Sequence, residues 1–221
     1  MNGKLKALGL ALVAVLALSA VAASAASASK LHSGSASGTT YLTGTQIGTN
    51  QLDTEAGNIK CTTVGAKGSY AGSTTEEGTV EGLTYSGCTL GLIAHIDTMG
   101  CAFTGTAGTA PTTEAHIVCP TTAGGVTHEI TIVLTQGGAP VCSFDIPEQT
   151  VELHAQGDGA TPDGIEVSTT SKIKYTVTYP GAPGTRCGMV GAHSDGTYTG
   201  SFSLKGYSNA AHSSQVNLTY L

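Results

Sequence analysis

Short runs in which apolar and polar residues alternate are the feature that most constrains the fold of this chain. The clearest run spans 126–135, where Val126, His128, Ile130, Ile132 and Leu134 occupy every second position. A period of two places these side chains on one face of a strand. Similar short runs recur along the chain and are separated by turn residues, as in the Gln-Gly-Gly-Ala-Pro segment at 136–140. The pattern predicts an all-β fold, an antiparallel β-sandwich or a barrel-like domain.

The composition favours strands over helices and disfavours one class of partner. Charged residues make up 11% of the chain, which contains 31 glycines. Such a chain solvates its surface with hydroxyl groups and backbone, as suits strands joined by tight turns. The order of the runs shows no strand–helix–strand rhythm, so a nucleotide-binding α/β fold is disfavoured. The formal net charge of −6 argues against nucleic acid as a partner, because phosphate binding requires clustered Lys and Arg.

The N-terminus has the pattern of an export signal. Lys4 and Lys6 precede an apolar run at 7–21, and small residues follow with Ala-x-Ala sites at 23–25 and 26–28. An apolar run of this length is shorter than the roughly 20 residues that a spanning helix needs. We therefore expect a cleaved signal peptide rather than a membrane anchor, and a secreted or extracellular protein with no transmembrane span after cleavage.

These signals predict three parts of the chain. Residues 1–28 form the signal peptide, and residues 29–41, rich in Ser, Gly and Thr, form a flexible leader. Residues 42–221 form a single all-β domain, a length that suits one domain of this class.

Six cysteines in an exported chain predict three structural disulfides. Sequence alone leaves 15 pairings open for six cysteines, but their contexts differ. Three cysteines share a strand face with apolar neighbours, namely Cys61, Cys119 and Cys142. The other three lie beside a glycine at a strand end, namely Cys88, Cys101 and Cys187. Pairing each strand cysteine with a neighbour of the second kind predicts the bonds 61–88, 101–119 and 142–187.

Metal binding has one candidate group, and it does not include the cysteines. No Cys-x-x-Cys occurs, which disfavours zinc and redox-active dithiol sites. Asp158, Asp163 and Glu166 lie in a glycine-rich segment and offer oxygen ligands of the kind that Ca²⁺ takes. Their spacing does not match an EF-hand, and the same residues also form ordinary β-turns. We expect no cofactor, with calcium as the alternative.

Two His-Asp pairs suggest a hydrolase. His95 and Asp97 lie two apart on one strand, and His193 and Asp195 recur around Ser194. A nucleophilic serine needs a positioned base and an oxyanion hole, and no Gly-x-Ser-x-Gly elbow occurs here. We assign no catalytic residues and expect a protein that is not an enzyme.

The alternation of apolar and polar positions divides the aromatic residues into two groups. An inward position is predicted for Tyr175, Tyr179, Tyr198 and Phe202. The remaining candidates for surface rings are Tyr41, Tyr70, Tyr85 and Tyr207. Exposed rings of this kind can pack against a carbohydrate polymer, whereas rings at the edge of a core bury their faces and leave the hydroxyl in water.

The chain also resembles a group of secreted proteins. The Ala-rich leader, the segments IKCTT and GSYAG, YSGCTL and AHIDTMGCAF, AHIVCP, and the late GTYTGSFSLKGY resemble secreted six-cysteine, Thr/Gly-rich all-β proteins of high-GC Gram-positive bacteria. The resemblance covers about residues 40 to 210. It implies secretion and an all-β fold, and it carries no catalytic residues.

Taken together, the residues favour a non-catalytic binding or structural protein of the cell envelope or extracellular space. We expect contact with a cell-wall or extracellular polymer, or with another surface protein, through Thr/Gly-rich loops. The alternatives are a small extracellular hydrolase and a secreted inhibitor that presents the segment 180–187. The sequence predicts neither the ligand nor the oligomeric state.

Overall fold

A computed structural model describes residues 30–34, 38–75, 77–106, 112–156, 164–179 and 189–220. Within these ranges the chain forms nineteen strands and no helix. No helix that could span a membrane occurs in the part of the chain so described. The all-β prediction is confirmed, and every strand pairing in the sheets is antiparallel.

The strands follow one another closely along the chain. The first ten are β1 (Leu31–Ser33), β2 (Thr39–Gln46), β3 (Asn50–Thr54), β4 (Gly57–Cys61), β5 (Thr63–Ala71), β6 (Thr74–Thr75), β7 (Glu77–Val80), β8 (Thr84–Ser86), β9 (Cys88–Thr89) and β10 (Ile93–Asp97). The remaining nine are β11 (Ala102–Thr106), β12 (Thr112–Val118), β13 (Ile130–Gln136), β14 (Ala139–Ile146), β15 (Gln149–Gln156), β16 (Ile165–Thr178), β17 (Gly191–Tyr207), β18 (Gln215–Val216) and β19 (Leu218–Tyr220).

The two longest strands, β16 and β17, hold the large sheet together. They pair along almost their whole length, from Ile165 opposite Leu204 to Val177 opposite Gly191. From this ladder one series of pairings runs through β2, β5, β7, β11, β12 and β15 and returns to β16. A second runs through β3, β4, β9, β10, β13 and β14 and also returns to β16. The sheet therefore closes in two circuits of eight strands that share β16 and β17.

The two circuits occupy opposite ends of the long ladder. On the edge of β16 that does not pair with β17, β15 pairs with residues 166–168, whereas β14 pairs with residues 176–178. On the edge of β17 that does not pair with β16, β2 pairs with residues 202–207, whereas β3 pairs with residues 197–199. Each long strand thus has a fork, a short stretch where its neighbour changes. A small sheet of β19, β1 and β6 completes the fold.

Side chains replace the missing ladder bonds at the β16 fork. The Gln149 side chain accepts from the backbone N–H of Lys174 (2.8 Å) and donates to its carbonyl oxygen (3.0 Å). The Ser171 hydroxyl accepts from the N–H of Glu152 (2.9 Å) and donates to the Glu152 carbonyl oxygen (2.7 Å). Thr169 donates to the same carbonyl. These three polar side chains thus provide hydrogen-bond partners for backbone groups where β15 separates from β16; the groups of Glu152 are partly buried, whereas those of Lys174 are exposed.

The core lies inside the closed sheet. One face of β16 is buried at all but one of its positions, and the buried members are Ile165, Thr169, Ser171, Ile173, Tyr175 and Val177. The main cluster joins Ile173, Tyr175 and Val177 to inward residues of the other strands, and a smaller cluster consists of Leu42, Tyr70, Ile165 and Leu218. Burial of these apolar faces is what the period-two pattern predicts.

Two of the expected disulfides are present in the structure. Cys61 bonds Cys88, and Cys101 bonds Cys119, with sequence separations of 27 and 18. The second bond joins the two ends of the β11–β12 hairpin, because Ala102 pairs with Val118 immediately beside it. Cys142 is buried in β14, and its expected partner Cys187 lies outside the described residues.

Two expectations about element boundaries differ from the structure. β13 begins at Ile130, and Val126 is 66% exposed because the preceding residues form a turn, in which the Val126 N–H bonds the Thr122 hydroxyl. Strand β1 lies within the segment expected to be a flexible leader, because Leu31 pairs with both Tyr220 and Thr75. Pairing with strands distant in sequence places residues 31–33 in a sheet, although composition alone predicted a flexible segment there.

Candidate functional site

The interior of the closed sheet contains a cavity of about 170 Å³. The first circuit contributes Ile117 and Val151 to its wall, and the second contributes Ile59, Ile130 and Ile132. No charged side chain belongs to the described residues that line it. The wall is apolar nearly throughout, as the inward faces of alternating strands require. The cavity thus lies where the two circuits meet, and no single strand or loop forms it.

Asn50 is the most deeply buried polar side chain in this wall. Asn50 begins β3 at the fork of β17 and is 1% exposed. The Tyr198 hydroxyl donates a hydrogen bond to its Oδ1 (2.8 Å). The Asn50 Nδ2 is buried and has no hydrogen-bond partner among the described residues. A buried donor without a partner is unusual in a native fold, since leaving it unpaired costs about 1–3 kcal/mol.

The backbone of β17 is shaped to receive this amide. A Cβ on Gly200 would lie 2.0 Å from the Asn50 Oδ1 and 3.0 Å from the Tyr198 hydroxyl. No side chain fits there, so glycine at this position allows Asn50 to pack directly against the strand. The amide therefore has a fixed position beside Tyr198.

Two tyrosines add hydroxyl groups to the same wall, Tyr85 of β8 and Tyr198 of β17. Burial raises the pKa of Tyr85 to about 12. Burial also raises the pKa of Tyr198 well above its usual value, and the charge that Tyr85 would carry raises it further. Both phenols therefore stay neutral at physiological pH, and the cavity wall carries no charge.

Two other polar side chains in the wall already have partners. The Thr169 hydroxyl donates to the Glu152 carbonyl at the β16 fork. The Gln51 side chain donates to Asp53 (3.0 Å). Asn50 differs from both because its Nδ2 has no hydrogen-bond partner among the described residues.

The His-Asp pairs predicted from the sequence have local roles. His193 stacks on Tyr175 with ring centroids 5.1 Å apart, and its Nε2 donates to the Met189 carbonyl (2.7 Å). Tyr175 in turn donates to Asp195 (3.1 Å), while the His193 Nδ1 lies 3.9 Å from the same carboxylate. Burial, and next the bond to Asp195, raise the pKa of Tyr175. This group braces the β16–β17 ladder and does not line the cavity.

The other pair lies on β10. Asp97 accepts the backbone N–H of Met99 (2.8 Å) and so closes the turn after the strand. His95 is exposed. The structure does not bring either residue into the cavity wall.

Most of the calcium candidate falls outside the described residues. Asp158 and Asp163 are not described, and Glu166 is an exposed residue of β16 that pairs with Ser203. Where side chains are described, no group of three His, Cys, Asp or Glu residues could hold a metal ion. The segment 180–187, which the inhibitor alternative would present, also lies outside the described residues.

The aromatic predictions were partly wrong. Tyr175 is buried, as expected, but Tyr70 is also buried, with 6% exposure, and Tyr85 lines the cavity. The short strand β8 pairs with the N-terminal end of β5, and this pairing places Tyr85 against the cavity. Tyr41 and Tyr207 are partly exposed, as expected for surface rings.

Sequence reasoning missed Asn50, although a signal for it was present. Asn50 and Leu52 occupy alternate positions of one strand, so the inward place of Leu52 implies the same face for Asn50. An amide at an apolar position of the alternation is the pattern that indicates a polar group inside a core.

Comparisons with known proteins identify no relative of this chain. No family model, curated protein or solved structure matches the chain. The cavity and its polar group are therefore the observations on which a function rests.

Proposed function

We propose that this chain is an exported, non-catalytic binding protein of the cell envelope or extracellular space, and that it holds a small apolar molecule inside its closed sheet. The observation that carries the proposal is the cavity of about 170 Å³, lined by apolar side chains from both circuits. An apolar cavity of about 150 Å³ in another protein binds benzene. The space here suits a ligand of one six-membered ring.

Energetics support a binding role for this space. A ligand that fills the cavity recovers dispersion contacts which the wall otherwise lacks.

Export has support from two independent features. Lys4, Lys6 and the apolar run at 7–21 form a signal peptide pattern. The disulfides Cys61–Cys88 and Cys101–Cys119 belong to an oxidising compartment. The resemblance to secreted proteins of high-GC Gram-positive bacteria agrees with both.

The proposal includes a third disulfide, between Cys142 and Cys187. Ser143 pairs with Thr178, and Val177 pairs with Gly191. Both ends of the segment that contains Cys187 thus lie near Cys142 of β14. With the other four cysteines bonded, these two are the remaining pair.

A second candidate function is attachment to an envelope polymer. Tyr41 and Tyr207 are cross-strand partners, and each packs edge-on against His212, with ring centroids 6.3 and 5.1 Å apart. These partly exposed rings form an aromatic surface of the kind that contacts sugars. Co-sedimentation with peptidoglycan, chitin and cellulose tests it. Saturable binding by the wild-type protein that is lost in Tyr41→Ala and in Tyr207→Ala would support attachment through these rings. Equal binding by the wild type and both variants would show that these rings do not bind the polymer.

The cavity proposal is tested by NMR of the isoleucine methyl groups during titration with benzene or toluene. We expect saturable shifts for Ile117, Ile130 and Ile132, which line the cavity. Ile93 is the internal control, because it is 59% exposed on the outer face of β10. Val167→Phe, which fills the space from its own wall, should abolish the shifts. Shifts at Ile93 alone, or shifts that persist in the filled variant, would contradict the proposal.

A further inference from the structure

We infer that the aromatic surface of Tyr41, Tyr207 and His212 binds an acidic saccharide chain, whose sugar rings pack on the tyrosines and whose carboxylate or phosphate groups bind Lys67 and Lys205. This ligand class rests on the attachment to an envelope polymer proposed above, and it adds the charge of that polymer. The strand register places both lysines beside the aromatic rings.

Tyr41 and Tyr207 form one row on the outer face of the sheet. They are cross-strand partners in β2 and β17. Leu42 and Gly206, which follow and precede them and are also partners, are buried. Because successive residues of a strand point to opposite faces, both tyrosine rings lie on the outer face.

Lys205 and Lys67 form the next row of the same face. Both lie opposite Thr43, Lys205 on β17 and Lys67 on β5. From the usual spacings within a sheet, the two lysine Cα atoms lie about 10 Å apart, and the row of lysines lies about 7 Å from the row of tyrosines. The long lysine side chains can therefore reach acidic groups of a chain bound on the rings.

Both ammonium groups are available to a ligand. Lys67 is exposed and Lys205 is partly exposed, and neither forms an ion pair within the described part of the chain. Two carboxylates lie at the margins of this face. Glu81 follows the far edge of β5, where its N–H bonds the Lys67 carbonyl, and Glu166 lies opposite Ser203, on the side of Lys205 away from the tyrosines. The two rows themselves contain no carboxylate among their described residues.

The turn after β17 holds the two rings in place. His212 packs edge-on against both, with ring centroids 6.3 Å from Tyr41 and 5.1 Å from Tyr207. The Asn209 side chain accepts from the backbone N–H of Ser213 (3.0 Å) and donates to the Ser213 hydroxyl (3.0 Å), which fixes the turn that carries His212. A surface that is already ordered loses little entropy when a ligand binds.

The number of charges and the kind of ring favour a saccharide over a nucleic acid. A single exposed ammonium group binds an anion weakly in water, so a chain with repeated acidic groups suits the two lysines. Partly exposed tyrosines present an apolar ring and a polar tip, as sugars require. Nucleic-acid binding requires more clustered Lys and Arg than two lysines, and the formal net charge of the chain is −6.

Two matched pairs of probes test the inference. Oligogalacturonate and its methyl ester share their sugar rings, but only the acid is charged. Phosphorylated and unmodified maltooligosaccharide differ in the same way, and oligothymidylate is the nucleic-acid probe. We would measure each Kd by calorimetric titration for the wild-type protein, Lys67→Gln, Lys205→Gln and Lys174→Gln. Lys174 is the control because it is an exposed lysine of β16 outside this face, and its substitution changes the net charge equally.

The expected result is a preference for the charged member of at least one pair, and the pair identifies the anion as carboxylate or phosphate. Lys67→Gln and Lys205→Gln should each reduce this preference about 1.5-fold to fivefold, the range of an exposed ion pair. Lys174→Gln should leave it unchanged. Added salt should reduce the preference of the wild-type protein, because it screens exposed charges.

Three results would overturn the inference. Equal affinities within both pairs, or a preference that both lysine variants retain, would mean that the rings bind a saccharide without regard to its charge, and attachment to a polymer would stand. Tighter binding of oligothymidylate than of every saccharide would identify a nucleic acid as the ligand. If no saccharide probe binds the wild-type protein, attachment through this surface fails as well, while the cavity proposal is unaffected.

Discussion

Gln149 provides Lys174 with both backbone hydrogen bonds that a neighbouring strand would otherwise supply. Its side-chain amide accepts from the Lys174 N–H at 2.8 Å and donates to the Lys174 carbonyl at 3.0 Å. This happens where β15 separates from β16 and the sheet divides into its two circuits. The separation of β15 from β16 therefore depends on side-chain hydrogen bonds as well as on the backbone bonds between the strands.

Removal of the Gln149 amide should therefore destabilise the fold. We expect Gln149→Leu to lower the free energy of unfolding by about 0.5–1.5 kcal/mol, the net contribution of a hydrogen bond, because two exposed backbone groups exchange the side-chain amide for water. Gln149→Glu is the matched variant, since it keeps an acceptor for the Lys174 N–H but places a carboxylate against the carbonyl. Urea unfolding measures all three proteins. Equal midpoints for Gln149→Leu and the wild type would show that water replaces the side chain without cost.

Gly200 should tolerate no side chain while Asn50 is present. Gly200→Ala places a Cβ 2.0 Å from the Asn50 Oδ1, so we expect a loss of about 1–3 kcal/mol from overpacking. In an Asn50→Ala background the same substitution should cost less, because the atom it meets is gone. A double-mutant cycle from denaturant unfolding measures this coupling. Additive effects would mean that the backbone, and not the amide, restricts this position.

The buried tyrosines should make the protein sensitive to alkaline pH. Burial raises the pKa of Tyr85 to about 12, above the value near 10 of an unfolded tyrosine. Its contribution to stability is therefore complete below pH 10 and is lost as the pH rises from 10 to 12, by about 1.4 kcal/mol per pH unit.

Two readouts check this dependence. Stability in urea should stay level up to pH 9 and then fall, and the fall should be shallower in Tyr85→Phe. Absorbance near 295 nm should show one tyrosine that ionises near pH 12 in the wild type but not in the variant. A protein whose tyrosines all ionise near pH 10 while folded would contradict the buried position of Tyr85.

The two disulfides should each contribute substantially to stability. Loops of 27 and 18 residues predict about 3 kcal/mol for each bond, from restriction of the unfolded chain. Replacement of Cys101 and Cys119 by Ala, or of Cys61 and Cys88, should lower the free energy of unfolding by similar amounts. Thermal unfolding of the paired variants measures this. A loss well below 1 kcal/mol would indicate that the β11–β12 pairing holds the hairpin ends without the bond.

Peptide mapping without reduction tests the connectivity. It should recover 61–88, 101–119 and 142–187, and a peptide that joins Cys142 to any cysteine other than Cys187 would disprove the third bond. The purified protein is the sample, and alkylation before digestion prevents exchange.

Much of the fold was predictable because the signal for it is local. Ile130, Ile132 and Leu134 are buried and alternate with less buried residues, since the period of a strand is fixed by backbone geometry. The strand cysteines could be matched with turn cysteines nearby in sequence, because hairpins bring such neighbours together. The interior positions of Tyr70 and Tyr85 were not predictable, because they depend on which strands pair with β5.

The sequence by itself determined the strand class and the inward face of most strands, because each depends on the spacing of residues close together in the chain, and it correctly predicted two disulfide pairs. Only the tertiary structure decided that the sheet closes twice around β16 and β17 and that a cavity lies where the circuits meet. It also decided that Asn50, Tyr85 and Tyr198 share one wall. Asn50 and Tyr198 are 148 residues apart, and no local pattern specifies a contact that arises only when distant strands pair.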